Sequence, residues 1–182
     1  GMLGIVNMAL KFAKTPRKGQ AVVAFLGLTI FFDDYSNTLI VGNATRPMSD
    51  TLKISREKLA YLVDSTAAPV ASIAIITTWV GFQVGLIKES IADIDGLTTP
   101  AYTLFLHSIP YSFYPFLALM LVATVVISKR DFGPMLKAER RARESGQVSR
   151  AESTGGASSE IEQMREKEGI PCRAINGILP IV

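Results

Sequence analysis

Cysteine and histidine are scarce in this sequence, with one of each in 182 residues. Cys172 has no partner for an internal disulfide, and one cysteine with one histidine, His107, cannot build a zinc site. The sequence also lacks a phosphate-binding glycine loop and a dinucleotide-binding fingerprint. These absences argue against metal- and nucleotide-dependent enzymes, so we expect no cofactor and no enzymatic activity.

A secretory signal is also missing, because Gly1–Leu10 has neither the basic region nor the cleavage pattern of one. The first residue is not Met, and "INGILPIV" in 174–182 reads as the start of another membrane segment. We therefore expect an internal piece of a longer protein. The net charge is +3. The basic residues flank apolar runs or alternate with acids, which favours membrane topology over a nucleic-acid partner.

Three long apolar runs dominate a chain that is 48% hydrophobic: 21–42, 65–87 and 101–128. Each is long enough to cross a bilayer core of about 30 Å. The fold class predicted is therefore all-α, a polytopic membrane protein fragment with about three membrane segments in residues 1–128, one of them re-entrant or broken. A polar cytoplasmic loop, 129–173, follows.

Lysine and arginine predict the orientation. Residues 1–20 hold four of them, 43–63 hold four, 88–110 hold one and 129–173 hold ten. By the positive-inside rule, 129–173 is cytoplasmic and 89–110 is external. Both flanks of 21–42 are basic, which leaves two alternatives. Either this segment is a re-entrant hairpin that enters and leaves on the cytoplasmic side, or it spans and its first flank departs from the rule.

Two adjacent aspartates, Asp33 and Asp34, interrupt the first apolar run in "FFDDYSNTL". A charged carboxylate at the bilayer centre costs about 2.5–3.5 kcal/mol, unless it faces protein, water or a cation. On a continuous helix, Thr29, Asp33 and Asn37 would share one face, and Asp34 and Thr38 the next. Because hard cations prefer such oxygens, the pattern predicts a Na⁺ site at Asp33 and Asp34, with Asn37 and Thr38 as further ligands.

The two aspartates have two other interpretations besides an ion site. The helix could end at Phe32, which would leave both carboxylates at a helix end in water. An aspartyl protease is disfavoured, because its dyad normally takes one carboxylate from each of two elements.

A second polar cluster opens the next apolar run, in "DSTAAPVAS". Pro69 cannot donate its backbone amide, so the carbonyl of Ser65 loses its helical partner next to Asp64 and Thr66. Broken helices in transporters use such carbonyls to hold ions. We predict Asp64 as an ion ligand, supported by Ser65, Thr66, Pro69 and the earlier Thr29. The alternative is that Asp64 is only a helix N-cap.

Two shorter patterns predict helix starts in the polar regions. Ser55 before "REK" is typical of an N-cap and predicts a short helix within the polar loop 43–63. Ser159 with Glu162 forms a capping-box pattern for another short helix.

Three stretches, "FFDDYSNTLIVGNATRPMSD", "ISREKLAYLVDSTAAPVASIA" and "RDFGPMLKAE", resemble the NhaC-type sodium/proton antiporter family of bacteria. The likeness covers the whole chain and is densest from Phe31 to Leu86. It implies a multi-pass protein of the bacterial inner membrane, whose partners are Na⁺, H⁺ and the lipid bilayer. The broader superfamily uses re-entrant hairpins, and some relatives exchange organic anions or amino acids. Ser36 stands where relatives carry Ala.

The function predicted is sodium/proton antiport, in which Asp33 and Asp34 hold either Na⁺ or H⁺ and so couple the two fluxes. The first alternative is a Na⁺- or H⁺-coupled carrier of an organic anion or amino acid. The second is a membrane scaffold whose tail binds a partner, which the insertion cost of the carboxylates disfavours. The oligomeric state stays open, with a homo-oligomer among the alternatives.

Overall fold

The computed structural model describes residues 11–94 and 96–150, and every regular element in them is helical, as the all-α prediction requires. The predicted helix start at Ser159 and the predicted membrane segment in 174–182 lie outside the described residues. The helices are α1 (Pro16–Thr29), α2 (Asp34–Thr51), α3 (Arg56–Ile73), α4 (Thr78–Ile91), α5 (Ala101–Ser108), α6 (Phe113–Ser128) and α7 (Gly133–Ser145), with a 3₁₀ turn at Ile109–Tyr111 between α5 and α6.

Helices α1 and α2 form an antiparallel hairpin whose tip is residues 30–34. A Cβ at Gly19, near the start of α1, would lie 2.6 Å from Leu52 Cδ1 and 2.9 Å from Met48 Sδ, at the end of α2. The two ends of the hairpin therefore lie together. The alternative in which 21–42 is one continuous helix is wrong, and the chain turns back at 30–34 as in the hairpin alternative, although the hairpin extends from Pro16 to Thr51. The polar loop expected from residue 43 is also wrong, because α2 continues through Pro47 to Thr51.

Helix α3 begins where the N-cap pattern predicts. The Ser55 hydroxyl accepts a hydrogen bond from Lys58 N at 3.1 Å. The helix is not short, however, and it is not broken at Pro69, since it runs on to Ile73. The helix continues past the proline, and Ala67, Val70 and Ala71 around it are buried in the packing. The break falls at residues 74–77 instead, and α4 starts there at a 44° angle to α3.

The core forms around α3, which packs against α1, α2 and α6. Apolar side chains from all four helices meet there, and they are Val23, Leu26, Val41, Leu59, Leu62, Val63, Val122 and Val126. α1 and α3 approach most closely where Gly27 faces Thr66. A Cβ at Gly27 would lie only 2.0 Å from Thr66 Oγ1, so the absence of a side chain permits this crossing.

Length and apolar composition identify one described stretch, 113–145, as able to cross a membrane, and α3 with α4 as a second if the bent pair is one span. The three predicted spans are therefore not confirmed. Large apolar side chains are exposed on α4 and around α6, among them Phe82, Phe113, Leu117 and Met120. Exposed apolar surface of this extent is typical of helices that contact lipid or other helices.

The hydrophilic segment after α6 folds back onto the start of α3. The side chain of Glu139, on α7, is buried and accepts a hydrogen bond from Ser55 N at 2.8 Å through Oε1. Lys58 is fully buried and forms an ion pair with Asp131. The first turn of α3 is thus covered by a segment about 80 residues further along the chain.

A second set of contacts holds the same segment in place. Arg141 donates to both carboxylate oxygens of Glu57, at 2.9 Å each, and Arg56 N donates to the carbonyl of Val148 at 2.8 Å. Both bonds to Glu57 come from one guanidinium nitrogen, Nη2, and together with the Val148 contact they hold this segment against the start of α3. The part of 129–173 that the structure describes is therefore a docked helix with its flanks, which the polar pattern of the sequence did not predict.

Candidate functional site

The hairpin tip carries both aspartates at the start of α2. Asp33 is the N-cap residue, and its Oδ2 accepts a hydrogen bond from Ser36 N at 2.8 Å. Asp34 occupies the first turn, and both side chains are partly buried. The unpaired N–H groups and positive dipole end of α2 stabilise negative charge at these positions. One alternative interpretation was that the first helix ends before the aspartates, at Phe32. Helix α1 does end before them, but at Thr29.

The tip contacts the start of α4 beside the α3–α4 break. Thr78 N donates to the carbonyl of Phe32 at 3.2 Å, and Thr78 Oγ1 lies 3.4 Å from Asp33 Oδ1. Trp79 Nε1 donates to Asp34 Oδ1 at 2.9 Å. Among the described residues, Oδ2 of Asp34 accepts no hydrogen bond. Two interrupted helices therefore meet at a point that carries two carboxylates.

Asn37 connects the two halves of the hairpin from a fully buried position. Its Nδ2 donates to the carbonyls of Gly27 and Ile30, at 2.7 and 2.8 Å, where α1 ends and its carbonyls lack helical partners. Its Oδ1 is buried and accepts no hydrogen bond from any residue that the structure describes. A buried polar atom without a partner costs about 1–3 kcal/mol, which makes Oδ1 of Asn37 a candidate ligand atom.

The predicted supporting residues lie elsewhere. Thr29 and Thr66 each donate the hydroxyl to the carbonyl four residues earlier, at 2.8 and 2.7 Å, inside their own helices. The break after Thr29 removes it from the helix that carries Asp33. Ser65 and Pro69 are interior residues of α3, away from its end at Ile73. The expectation that Pro69 breaks the helix beside Asp64 is therefore wrong.

Thr38 and Asp64 line a different feature, a groove of about 670 Å³ between α2 and α3. Both are exposed, and the groove also contains Asn43, Arg46 and Arg56. The structure thus separates the five predicted ion ligands into two groups. Asp33, Asp34 and Asn37 come together at the tip, whereas Thr38 and Asp64 face the groove.

Three residues at the start of α4 lie beside the tip, although their sequence pattern alone did not single them out. Thr77 is the N-cap of α4: its hydroxyl accepts from Val80 N at 3.1 Å and donates to the Ala71 carbonyl at 2.8 Å. Thr78 and Trp79 contact the tip carboxylates. The sequence does contain a signal for this site: Thr77 is a typical N-cap residue inside an apolar run. Such a residue indicates that a new helix begins where a continuous span is otherwise expected.

Comparison with known proteins identifies the class. The sequence model of the Na⁺/H⁺ antiporter family matches residues 70–175, more than half of the chain. The chain belongs to this family, whose members are integral membrane transporters. The narrower NhaC type stays a prediction. The match includes the start of α4, and the hairpin tip lies before it.

One similar protein is an uncharacterized protein of Haemophilus influenzae, 30% identical over 169 residues. The alignment covers 93% of this chain but only 30% of that protein, so the chain spans under a third of its relative's length. No solved structure matches the chain.

Proposed function

We propose that this chain is part of a secondary transporter that exchanges Na⁺ for H⁺, and not of an enzyme. Asp33 and Asp34 are the exchanging groups, and each transport cycle loads them with either Na⁺ or H⁺. Family membership supports cation/proton exchange in general. The tip geometry supports the choice of residues.

One observation carries the proposal: the hairpin tip with its two carboxylates contacts the start of α4, beside the α3–α4 break. Helix interruptions that face each other leave backbone groups and dipole ends free to act on an ion. Oδ2 of Asp34 and Oδ1 of Asn37 are oxygens without a hydrogen-bond donor among the described residues. Carboxylate and amide oxygens of this kind suit a hard cation such as Na⁺.

The same contacts couple loading to movement. An ionised Asp34 accepts the hydrogen bond from the Trp79 indole, and a protonated or Na⁺-bound carboxylate accepts it less well. The attachment of the tip to α4 therefore differs between the loaded states. A difference of this kind is what an alternating-access cycle needs, since a ligand shifts a conformational equilibrium only through differential contacts.

The proposed topology follows from the hairpin. The start of α1, the end of α2 and α7 lie at one end of the molecule, and all three regions are basic in sequence. We place this end in the cytoplasm of a bacterial cell, with 129–173 cytoplasmic, 89–110 external and the hairpin re-entrant from the inner face of the inner membrane.

Charge-removing variants test the assignment in the full-length antiporter. Asp33→Asn and Asp34→Asn keep the side-chain shape and remove the exchangeable charge. Each is expected to abolish Na⁺-driven H⁺ movement in everted vesicles at normal expression. Asp93→Asn, an exposed position beyond α4, is the matched control and is expected to keep activity. Undiminished exchange in the Asp33→Asn/Asp34→Asn double variant would overturn the proposal.

A second candidate, a Na⁺- or H⁺-coupled carrier of an organic anion or amino acid, would hold its solute in the groove between α2 and α3. Its volume of about 670 Å³ suits a small organic molecule, and Arg46 with Asp64 would match a zwitterion. In this case cation flux in proteoliposomes would require the organic solute, whereas an antiporter needs none.

A further inference from the structure

A second cavity, of about 680 Å³, lies at the α7 end of the molecule and shares no residue with the tip or the groove. The start of α1, the segment after α6 and one side chain of α7 line it. Four of its side chains are cationic, namely Arg17, Lys18, Lys129 and Arg143. Cations that face one cavity repel each other, so the arrangement favours an anion between them.

The acids near this cavity are already paired. Asp131 lines it but forms the ion pair with buried Lys58. Glu139 binds Arg143 at 3.0 Å through one guanidinium nitrogen, which leaves further N–H donors of that arginine. Arg17, Lys18 and Lys129 form no ion pair with any other described residue. The cavity therefore keeps a net positive charge.

Gln20 provides an independent indication of a ligand. It lines the cavity and is only 5% exposed, yet its side chain forms no hydrogen bond within the described parts of the chain. Its amide atoms are not among the fully buried unpaired atoms of the described residues, so they reach the cavity and can bind a ligand there. An anion in the cavity would accept the hydrogen bond that the Gln20 amide can donate.

The position of the cavity identifies the source of the anion. Lys129 directly follows Ser128, the last residue of the apolar helix α6, so the cavity lies where that helix leaves the hydrocarbon. Phosphate groups of lipids occupy this level, and basic residues on the cytoplasmic side attract anionic lipids. We propose that the cavity binds the phosphate group of an anionic phospholipid of the cytoplasmic leaflet. This inference rests on the orientation in the proposed function but not on the transported ion.

Lipid binding to the delipidated full-length antiporter in detergent tests the proposal without any transport measurement. Phosphatidylglycerol is titrated against phosphatidylcholine, and the apparent affinities are compared. Phosphatidylglycerol is expected to bind more tightly. Arg17→Gln/Lys18→Gln should weaken it about thirtyfold, at about 1 kcal/mol for each cation near a membrane surface. Lys137→Gln/Arg140→Gln, which removes two exposed cations of α7 outside the cavity, is the matched control and should leave binding unchanged.

Gln20→Leu separates a specific site from general attraction to a basic surface. This variant keeps the side-chain volume and the net charge, so weaker phosphatidylglycerol binding with an unchanged or higher melting temperature supports a built site. Competition with inorganic phosphate distinguishes the sources. If inorganic phosphate displaces phosphatidylglycerol and binds with the same affinity, the cavity is a site for soluble phosphate. That result would overturn the lipid assignment. Equal binding of both lipids, or equal weakening by both double variants, would overturn the phosphate site itself.

Discussion

Gly27 lies where three helices cross, and both its carbonyl and its missing side chain matter there. The carbonyl accepts from Asn37 Nδ2 at 2.7 Å, which ties α1 to α2. The vacant Cβ position accommodates Thr66 of α3, whose Oγ1 would lie 2.0 Å from an alanine methyl. The hairpin tip is thus held in register with α3 by one residue that tolerates no side chain.

Gly27→Ala is therefore expected to destabilise the protein by about 1–3 kcal/mol through overpacking, despite the better helix propensity of alanine. The measurement is the thermal unfolding midpoint of the full-length antiporter in detergent. Thr66→Ala in the same background should recover part of the loss, because it removes Oγ1 but leaves Cβ, which is 2.8 Å from the added methyl group.

Gly42→Ala is the matched control in α2, where an added Cβ meets nothing within 4 Å among the described residues. It should be neutral or stabilising by about 0.5–1 kcal/mol. A Gly27→Ala variant as stable as this control would contradict the close crossing of α1 and α3.

At the scale of elements, α7 docks against the first turn of α3, while α1, α2 and α6 pack along the rest of that helix. Glu139 is 2% exposed and accepts hydrogen bonds from Ser55 N and from Arg143. Removal of this carboxylate leaves the buried Ser55 N–H without an acceptor, which costs about 1–3 kcal/mol, whereas the half-exposed Arg143 can bind water instead. The docked state of α7 depends on this carboxylate.

Glu139→Ala is expected to release α7 and to speed tryptic cleavage within "KAERRARES" by at least about tenfold in everted vesicles, since cleavage follows the population of the open form. Glu144→Ala removes an exposed carboxylate of the same helix and should leave the cleavage rate unchanged. Equal cleavage of the two variants would show that α7 is not held by Glu139.

Local signals in the sequence were sufficient for some elements and not for others. The Ser55 N-cap was predictable because its partner is Lys58, three residues away. The helical class of the elements was also predictable, because it depends on apolar and capping patterns within each segment. The break at 74–77 was not, because Pro69 offered a stronger local signal and only packing around α3 overrides it. The docking of α7 depends on a contact between Ser55 and Glu139, 84 residues apart, which periodicity cannot reveal.

The candidate site shows the same division between local and long-range information. Asp33 and Asp34 are candidates from the sequence because charges in an apolar run are costly wherever the run folds, and Asn37 is one because it follows Asp33 by one helical turn. Thr38 and Asp64 were grouped with them on the assumption of a continuous first helix and a break at Pro69. The hairpin turns Thr38 to the groove, and Trp79 reaches Asp34 from an element 45 residues away.

At the scale of the whole molecule, the hairpin makes a topological prediction. Lys14 precedes α1 and Thr51 ends α2, both are exposed, and the two ends of the hairpin lie together. In a cysteine-free full-length background, Lys14→Cys and Thr51→Cys should both react with an impermeant thiol reagent from the cytoplasmic side only. Asp93→Cys, beyond α4, is the control and should react from outside only. External labelling of Lys14→Cys alone would mean that 21–42 crosses the membrane.

Under the proposed function, competition between Na⁺ and H⁺ at the tip carboxylates would set the pH dependence of the whole transporter. If one site holds either ion, protons displace Na⁺, so the apparent Na⁺ affinity must weaken as pH falls. In the pH range where the site is mostly protonated, each tenfold rise in proton concentration should weaken it by up to about tenfold, or about 1.4 kcal/mol. The maximal rate at saturating Na⁺ should change much less, because Na⁺ then displaces the proton.

The measurement is Na⁺-dependent H⁺ flux in proteoliposomes across a pH series, with and without candidate amino acids and carboxylates. Asp93→Asn should keep the wild-type pH dependence, because its carboxylate lies beyond α4 and outside the tip. A Na⁺ affinity independent of pH would mean that the two ions do not share the tip carboxylates. A flux that strictly requires an organic solute would favour the coupled carrier instead, and the groove containing Arg46 and Asp64 would then be the first place to seek the solute.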